Sequence, residues 1–514
     1  MTRSRLMGYI PRPTRDRLRS LASLEYMALT DAEASAIETL ADGVLGMLDR
    51  LDELPQPQAA LKYPTRDRGY RPSPAEDPYN AFIWRCHVQG APAGKLAGKR
   101  IGLKDNIRLA GVPMTNGSYL LADFVPSVDA VVAERLLDAG AVIVGKLNMD
   151  DFALAGTSET SAFGCIRNPA NPEFSAGGSS GGSGAAVASG DVDIALAVDQ
   201  GGSARIPASW CGVVGLKPTH GLVPSFGITY LDHTLDFVSP IARSVAEVAL
   251  TLEVIAGDDP RDPQWVRGPI PAQPYSTLLD GGVRGIRIGV LREGILEDIT
   301  EPDVLTAFRA AVATFDRLGA SVTELSLPLW SHGQAIWNGF ALHSISAMIE
   351  SGQEGFGRLG LCDVGWQQAF GDARRAHADR LPLYMKTLLV LGNYLRRDLG
   401  SVYFGKATNL RWQMRREFDA LFDGVDVILT PTMPRKAFRL LQHSPRPEEL
   451  AERAAGMCQN TYPTNVTGNP SLTVPCGRGE NDLPIGLQII GRNFADATVL
   501  RVGHAFETNT DGAW

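Results

Sequence analysis

SAGGSSGGSGAAVASGDVDIALAVDQGGSARIP, residues 175–207, sets two glycine-flanked serines 24 residues apart, Ser179 in GGSSGG and Ser203 in DQGGS. Between them lie a helical segment, 184–189, and an apolar run, 193–198, that reads as a buried strand. A loop–helix–strand–loop path brings the chain back towards its starting point, so the two serines can become neighbours. Glycine suits such loops because backbone without a Cβ bends sharply and approaches a ligand closely. Successive N–H groups there can also face a single anion.

A flexible linker fits the Gly/Ser content, but not the patterned helix and strand that border it, nor the ARIP segment that follows. Phosphate binding lacks both GxxxxGK[ST] and an opening GxGxxG. Nucleophilic catalysis remains, and a serine hydroxyl needs a base beside it. The chain has eight histidines. His220, in KPTHG, is near in sequence but reads as structural, and the GxSxG elbow is absent. A lysine is the alternative. Lys104 ends the apolar run RIGL (100–103). Taken alone it reads more often as a salt-bridged or snorkelling side chain. As a base it must be neutral, which moves its pKa from about 10.4 to near 7 at a cost of about 4 kcal/mol. Burial and donors aimed at the amine can supply that.

Outward from this stretch the chain alternates short β-like runs with helical ones. Residues 100–103, 141–144, 193–198, 286–291 and 425–429 read as strands and 130–139 as a helix. The alternation predicts an α/β fold with a largely buried sheet, parallel in part. Residues 300–320 and 330–420 read as helical. Residues 1–75 read as a small N-terminal helical domain before a catalytic domain at 76–514. Thr30 and Glu33 have capping-box spacing, and Ile37, Leu40, Ala41, Val44, Leu45, Leu48 and Leu51 follow at helical period. Leu18, Leu21 and Leu24 predict a shorter helix before them. Residues 55–78, rich in Pro, Arg and Asp, read as an extended linker.

The 514 residues, 44% of them hydrophobic, suffice for a large core, and a net charge of −8 gives no basic footprint for nucleic acid. None of the six cysteines forms a CxxC pair, so metal and redox chemistry lack support and reduced thiols of a cytoplasmic protein are expected. Arg3 and Arg5 precede no apolar core of a secretory signal. No window approaches the ~18 apolar residues of a membrane span.

The combination GGSSGGSGAAVASG, DQGGSARIPASWCGVVGLKPTHG and GLKDNI around Lys104 resembles the amidase signature family. The likeness returns in DVILTPTMP (426–434), TGNPSLTVP (467–475) and LPIGLQIIGR (483–492). It implies a three-layer α/β/α amidase signature fold, a large mixed central sheet flanked by helices, and a triad needing no cofactor and no metal. By that likeness Ser203 is the nucleophile, Ser179 the bridging serine behind a cis peptide bond, and Lys104 the base. The backbone N–H groups of Gln200, Gly201, Gly202 and Ser203 form the oxyanion hole. Asp199 and Arg205 hold the nucleophile loop, and Ser180 adds a hydrogen bond. Many members carry Thr where Gln200 stands.

The implied reaction is hydrolysis of a carboxylic amide through an acyl-enzyme on Ser203. Carbamate or ester cleavage by the same triad, or the glutaminase-type subunit of an amidotransferase, are alternatives. DQGGS, THGLVP and the helical extension look like broad-specificity bacterial amidases associated with nitrile degradation. That likeness implies a cytoplasmic homodimer acting on a small-molecule amide or carbamate, without nucleic acid or membrane. The helical region 330–420 is expected to build the substrate pocket. Trp330, Trp337, Phe340, Tyr384, Tyr394 and Trp412 lean towards an apolar or aromatic acyl group.

Overall fold

A computed structural model describes residues 10–57, 60–263, 270, 273–441, 446–454 and 456–510; Arg3 and Arg5 lie outside them. The chain forms two compact units, Met1–Ala60 and Leu61–Trp514.

The first unit holds helices α1 (Arg15–Leu24) and α2 (Asp31–Asp52). Thr30 Oγ1 accepts from Glu33 N at 3.3 Å, while the Glu33 carboxylate accepts from Thr30 N at 2.8 Å. This reciprocal cap satisfies two N–H groups that the first turn leaves without partners. Arg12 reaches Asp42 and Asp49, both at 2.8 Å, tying the segment before α1 to α2.

The second unit carries strands β1 (Asp67–Tyr70), β2 (Phe82–Gln89), β3 (Arg100–Lys104), β4 (Val142–Leu147), β5 (Arg167–Asn168), β6 (Asn171–Ser175) and β7 (Ile194–Asp199). After them come β8 (Val214–Lys217), β9 (Phe237–Ala242), β10 (Arg287–Leu291), β11 (Ser321–Leu325), β12 (Val427–Pro431), β13 (Ser471–Arg478) and β14 (Pro484–Gly491). Twelve of them form one sheet in the order β1-β2-β4-β3-β7-β9-β8-β13-β14-β12-β10-β11, and β5 with β6 make a separate hairpin. The sheet is mixed. β3 lies parallel to both β4 and β7, and β10 parallel to β11 and β12, while the other neighbours are antiparallel. The fold class is the one expected, α/β with helices flanking a large mixed sheet.

The segment read as a linker differs: β1 pairs antiparallel with β2, Tyr70 opposite Arg85. Residues 61–75 therefore belong to the larger unit, and the division falls at Ala60/Leu61 rather than after residue 75. Short polar edge strands read as coil, because nothing but their neighbour defines them.

Two parallel connections decide where chemistry can sit. β3 passes through α3 (Val131–Asp138) to β4, and β4 is followed by α4 (Gly181–Ala188) and then β7. Parallel pairing of β3 with β7, Leu103 beside Leu196, brings their carboxyl ends together. In open α/β sheets ligands bind outside such ends. Along β7 the faces alternate. Ile194, Leu196 and Val198 enter one core cluster, and Ala195 and Ala197 enter another with Ala185, Ala186 and Val187 of α4.

α4 begins at Gly181, three residues before the segment expected at 184. Its opening glycines have poor intrinsic helix propensity. Packing requires them: a Cβ on Gly182 would stand 2.4 Å from Ala81 O, and one on Gly184 would stand 2.8 Å from Pro207 Cβ. The Gly/Ser run is thus a tightly packed helix and its approach loop. Four helices span the 330–420 region, Gly333–Glu350, Val364–His377, Leu383–Leu399 and Val402–Leu421.

Candidate active site

Lys104 is the last residue of β3 and fully buried. Its Nζ donates to Ser179 Oγ at 2.8 Å and to Val198 O at 3.3 Å. Ser179 Oγ in turn donates to Ser203 Oγ at 2.9 Å. The peptide bond from Gly178 to Ser179 is cis. Burial pushes the Lys104 ammonium down to about 7, against the opposing pull of the Asp150, Asp199 and Asp236 carboxylates. Among the described residues, none of those carboxylates comes within ion-pair distance of Nζ. Ser180 Oγ donates to Val198 O at 3.3 Å, sharing that acceptor with Lys104, and its N–H donates to Ser203 O.

Asp199 ends β7 and is fully buried with Arg205, the first residue of α5 (Arg205–Cys211). The Arg205 guanidinium bonds both Asp199 oxygens at 2.9 Å and also reaches Thr464 Oγ1, Gln488 Oε1 and Asn465 Oδ1. Burial alone would raise the Asp199 carboxyl, but Arg205 and the Asn465 amide outweigh it and hold the group well below the usual carboxylate range. Asp199 also accepts from the N–H groups of Gly202, at 2.8 Å, and Ala204, at 3.2 Å.

This last contact corrects one expectation. The Gly202 N–H is engaged by Asp199 and is not available to an oxyanion. Among the described residues nothing accepts from the N–H groups of Gln200, Gly201 and Ser203, which leaves three of the four expected donors. Gly202 instead serves the turn, at φ 132°, where a Cβ would stand 2.4 Å from Thr461 Oγ1. Gly201 is required by close approach, since a Cβ would lie 2.6 Å from the Tyr462 ring.

The wall opposite the loop comes from residues remote in sequence. Trp337 Nε1 donates to Gln200 O at 3.1 Å, and its ring packs on Tyr462 at 4.4 Å. Thr461 Oγ1 donates to Gly201 O. Asp150 N–H donates to Ser179 O at 3.1 Å. Burial pushes the Asp236 carboxyl, in the cavity beside Ser203, up to about 7.

Of the aromatic side chains expected to line a pocket, only Trp337 has such a contact with the loop that carries Ser203. Trp330 is buried in a core cluster against Phe418, and Phe340 is buried in another. Tyr394 and Trp412 are exposed on helices, and Tyr384 is half-buried. An aromatic residue packs in a core as readily as in a pocket, and composition does not separate the two. His220 lies away from the serines, its ring against Phe237 and Nε2 3.3 Å from His233 O. Among the described residues no group of three or more His, Cys, Asp or Glu is arranged to hold a metal ion, and no helix is long and apolar enough to cross a membrane.

The amidase family profile matches residues 81–500. The chain is 39% identical over 429 residues to a Glutamyl-tRNA(Gln) amidotransferase subunit from Haloarcula marismortui, covering 83% of this chain and 99% of that one. Among solved structures it resembles the Glutamyl-tRNA(Gln) amidotransferase subunit of Thermotoga maritima, with a TM-score of 0.70, 34% identity, and 85% and 89% of the two chains covered. It also resembles the peptide amidase of Stenotrophomonas maltophilia, with a TM-score of 0.66, 31% identity, and 81% and 83% covered.

These relatives overturn two expectations. The sequence-similar relatives are amidotransferase subunits, not nitrile-associated amidases. By name each is one subunit of an enzyme of glutamyl-tRNA(Gln), so a homodimer confined to small molecules, with no nucleic acid among its partners, does not stand as a reading of this sequence. Mild acidity of one chain says nothing about the surface of an assembly. With the profile match spanning most of the chain and the fold shared, the protein belongs to the amidase signature family, whose members are hydrolases acting on the C–N bonds of amides.

Proposed function

We propose that this chain hydrolyses a carboxamide through an acyl-enzyme on Ser203. The observation that carries the reading is the unbroken line from Lys104 Nζ to Ser179 Oγ to Ser203 Oγ, 2.8 and 2.9 Å. Neutral Lys104 takes the Ser179 proton as Ser179 takes that of Ser203, and Ser203 Oγ attacks the carbonyl carbon. The oxyanion is met by the N–H groups of Gln200, Gly201 and Ser203, preorganised donors each contributing about 3–4 kcal/mol in the transition state. As the C–N bond breaks, Ser179 returns a proton to the departing nitrogen. Water then attacks the acyl-Ser203 ester by the same relay and releases the acid. Ser180, Asp199 and Arg205 position this loop.

The relatives' names favour one substrate: the chain is the glutaminase-type subunit of an amidotransferase, taking nitrogen from a side-chain carboxamide. A second reading, a carboxamide hydrolase active by itself, is favoured by the likeness to a peptide amidase and by the helical unit Met1–Ala60 lying outside the family match. Carbamate and ester carbons can meet the same nucleophile. Ser203→Ala should remove turnover and labelling by a serine-directed inhibitor, and full activity in that variant sinks the proposal. Assays of the purified chain on glutamine and on a panel of carboxamides separate the readings. Glutamine cleavage that needs added subunits supports the first; panel turnover by the chain alone supports the second.

A further inference from the structure

A second cavity, of about 640 Å³, lies between the turn 118–125 and the helix Val364–His377, and neither serine lines it. Its size is that of a small-molecule site. Leu120, Phe124 and Val125 give it one apolar wall, Ala369 and Ala373 another. Asp151 lines the same cavity and keeps 9% of its surface exposed. A buried carboxylate is normally paired with a cation or held by several donors. Asp151 is an exception. Among the described residues the Ser118 hydroxyl alone favours its charge, and the neighbouring Asp150 carboxylate opposes it. Oδ1 has no hydrogen-bond partner. Burial pushes the carboxyl up to about 8, so at neutral pH it is mostly protonated. A cation brought beside such a group favours its ionised form.

The other ionisable lining residues are exposed: Tyr119 and Asp123 on the turn, His377 at the end of the helix and Arg380 just after it. Asp151 is thus the buried charge site of this wall, while the basic side chains stand where the cavity meets water. A ligand that satisfies both carries an ammonium for Asp151 and a carboxylate for Arg380, with hydrocarbon between them against the apolar walls. The buried pairing supplies most of the affinity, since an exposed ion pair adds little.

The cavity also adjoins the catalytic one. Asp151 opens a turn whose next residues, Phe152 and Ala153, stand at φ 52° and 60° and line the cavity beside Ser203. Phe152 packs edge-on against Phe370, 5.9 Å away on the helix that carries Ala369 and Ala373. The turn Asp151–Ala153 therefore belongs to both cavities.

We propose that the cavity at Asp151 binds an ω-amino carboxylate, and that its occupant alters turnover at Ser203 through the turn Asp151–Ala153. Binding moves a proton and no electrons. The ligand's –NH3+ stays protonated, the Asp151 O–H bond breaks, and that proton goes to solvent. The site itself rests on no catalytic reading; its effect on turnover rests on the acyl-enzyme proposal.

Titration calorimetry on the purified full chain tests the site, with 4-aminobutanoate, 6-aminohexanoate, 8-aminooctanoate, hexylamine and hexanoate as probes. At least one of the three amino acids should bind. Its apparent affinity should rise about tenfold per pH unit from pH 6 towards 8 and then level off, because Asp151 must lose its proton. Hexylamine should bind a few-fold more weakly than 6-aminohexanoate, and hexanoate not at all. Arg380→Ala should erase that difference. The isosteric Asp151→Asn should weaken binding at pH 8 at least about tenfold and flatten its pH dependence. Ala373→Leu, which fills the space from the helix, should abolish binding. No binding by any amine, or binding unchanged in Asp151→Asn, overturns the site.

At saturating ligand, kcat/KM for a carboxamide should shift at least about fivefold, the lower end of ordinary coupling between sites, and the shift should vanish in Ala373→Leu. Binding with kcat/KM unmoved overturns the coupling and leaves the site. A chain that binds the amino acid but cleaves no carboxamide overturns the acyl-enzyme reading and the coupling together, again leaving the site.

Discussion

Asp199 and Arg205 meet through two hydrogen bonds of 2.9 Å, and neither side chain is exposed. The pair joins the end of β7 to the start of α5 and, through Asn465 and Thr464, to a segment about 260 residues later. Removing one partner of a buried pair strands the other charge, a loss of about 3–5 kcal/mol. Arg205→Ala is therefore expected to unfold at markedly lower denaturant. It should also lose turnover, because the Gly202 and Ala204 N–H groups depend on the placement of Asp199. Arg205→Lys should rescue little, since an ammonium cannot reproduce the forked contacts. Equilibrium denaturation beside a rate assay checks both; a wild-type midpoint in Arg205→Ala refutes the account.

Lys104 should govern the pH profile. With its ammonium held near 7 by burial, kcat/KM should rise through about pH 7 and fall about tenfold per pH unit below it. A profile flat from pH 5 to 9 would remove Lys104 from the role of base.

The same side chain carries a stability cost. Its folded pKa lies below the 10.5 of a free lysine, so the unfolded chain binds the extra proton, and stability rises with pH between about 7 and 10.5. At pH 7 the cost is on the order of 5 kcal/mol. Lys104→Met should thus be inactive yet more resistant to denaturant than wild type at pH 7, the gap narrowing towards pH 10. A midpoint at pH 7 equal to or below that of wild type counts against a strained neutral amine.

Gly201→Ala tests the close approach on the nucleophile loop. The added methyl would meet Tyr462 at 2.6 Å, so either the ring or the loop must shift. A displaced N–H should lower kcat by about 10²–10³ with little effect on the denaturation midpoint. Tyr462→Ala in the same chain should recover part of the rate by making room.

How much of this could be read beforehand follows the range of each interaction. β7 announced itself because its alternating residues are all buried, and Lys104 stood out as a charge at the end of an apolar strand. Ser179 and Ser203 were marked by the glycines around them. Thr461, Tyr462 and Asn465 carry no such local mark, since their roles come from packing against a loop some 260 residues earlier. The engagement of Gly202 by Asp199 was hidden as well. Spacing says which N–H groups lie near a nucleophile, but only coordinates say which are already spoken for. The residues around the cavity beside Ser203 carry no local mark either: Asn106, Thr229 and Gln353 come to it from three separate segments, whereas most of the aromatics singled out by composition serve as core.

The position of β13 and β14 between β8 and β12 has a temporal consequence. Both serines and the lysine leave the ribosome well before residue 465, yet the arginine that steadies their loop lacks four of its partners, Thr461, Thr464, Asn465 and Gln488, until the last quarter of the polypeptide has been made. A nascent chain must therefore stay silent towards amides until its C-terminal hairpin slots into the sheet, so the onset of turnover during synthesis times the completion of the whole architecture.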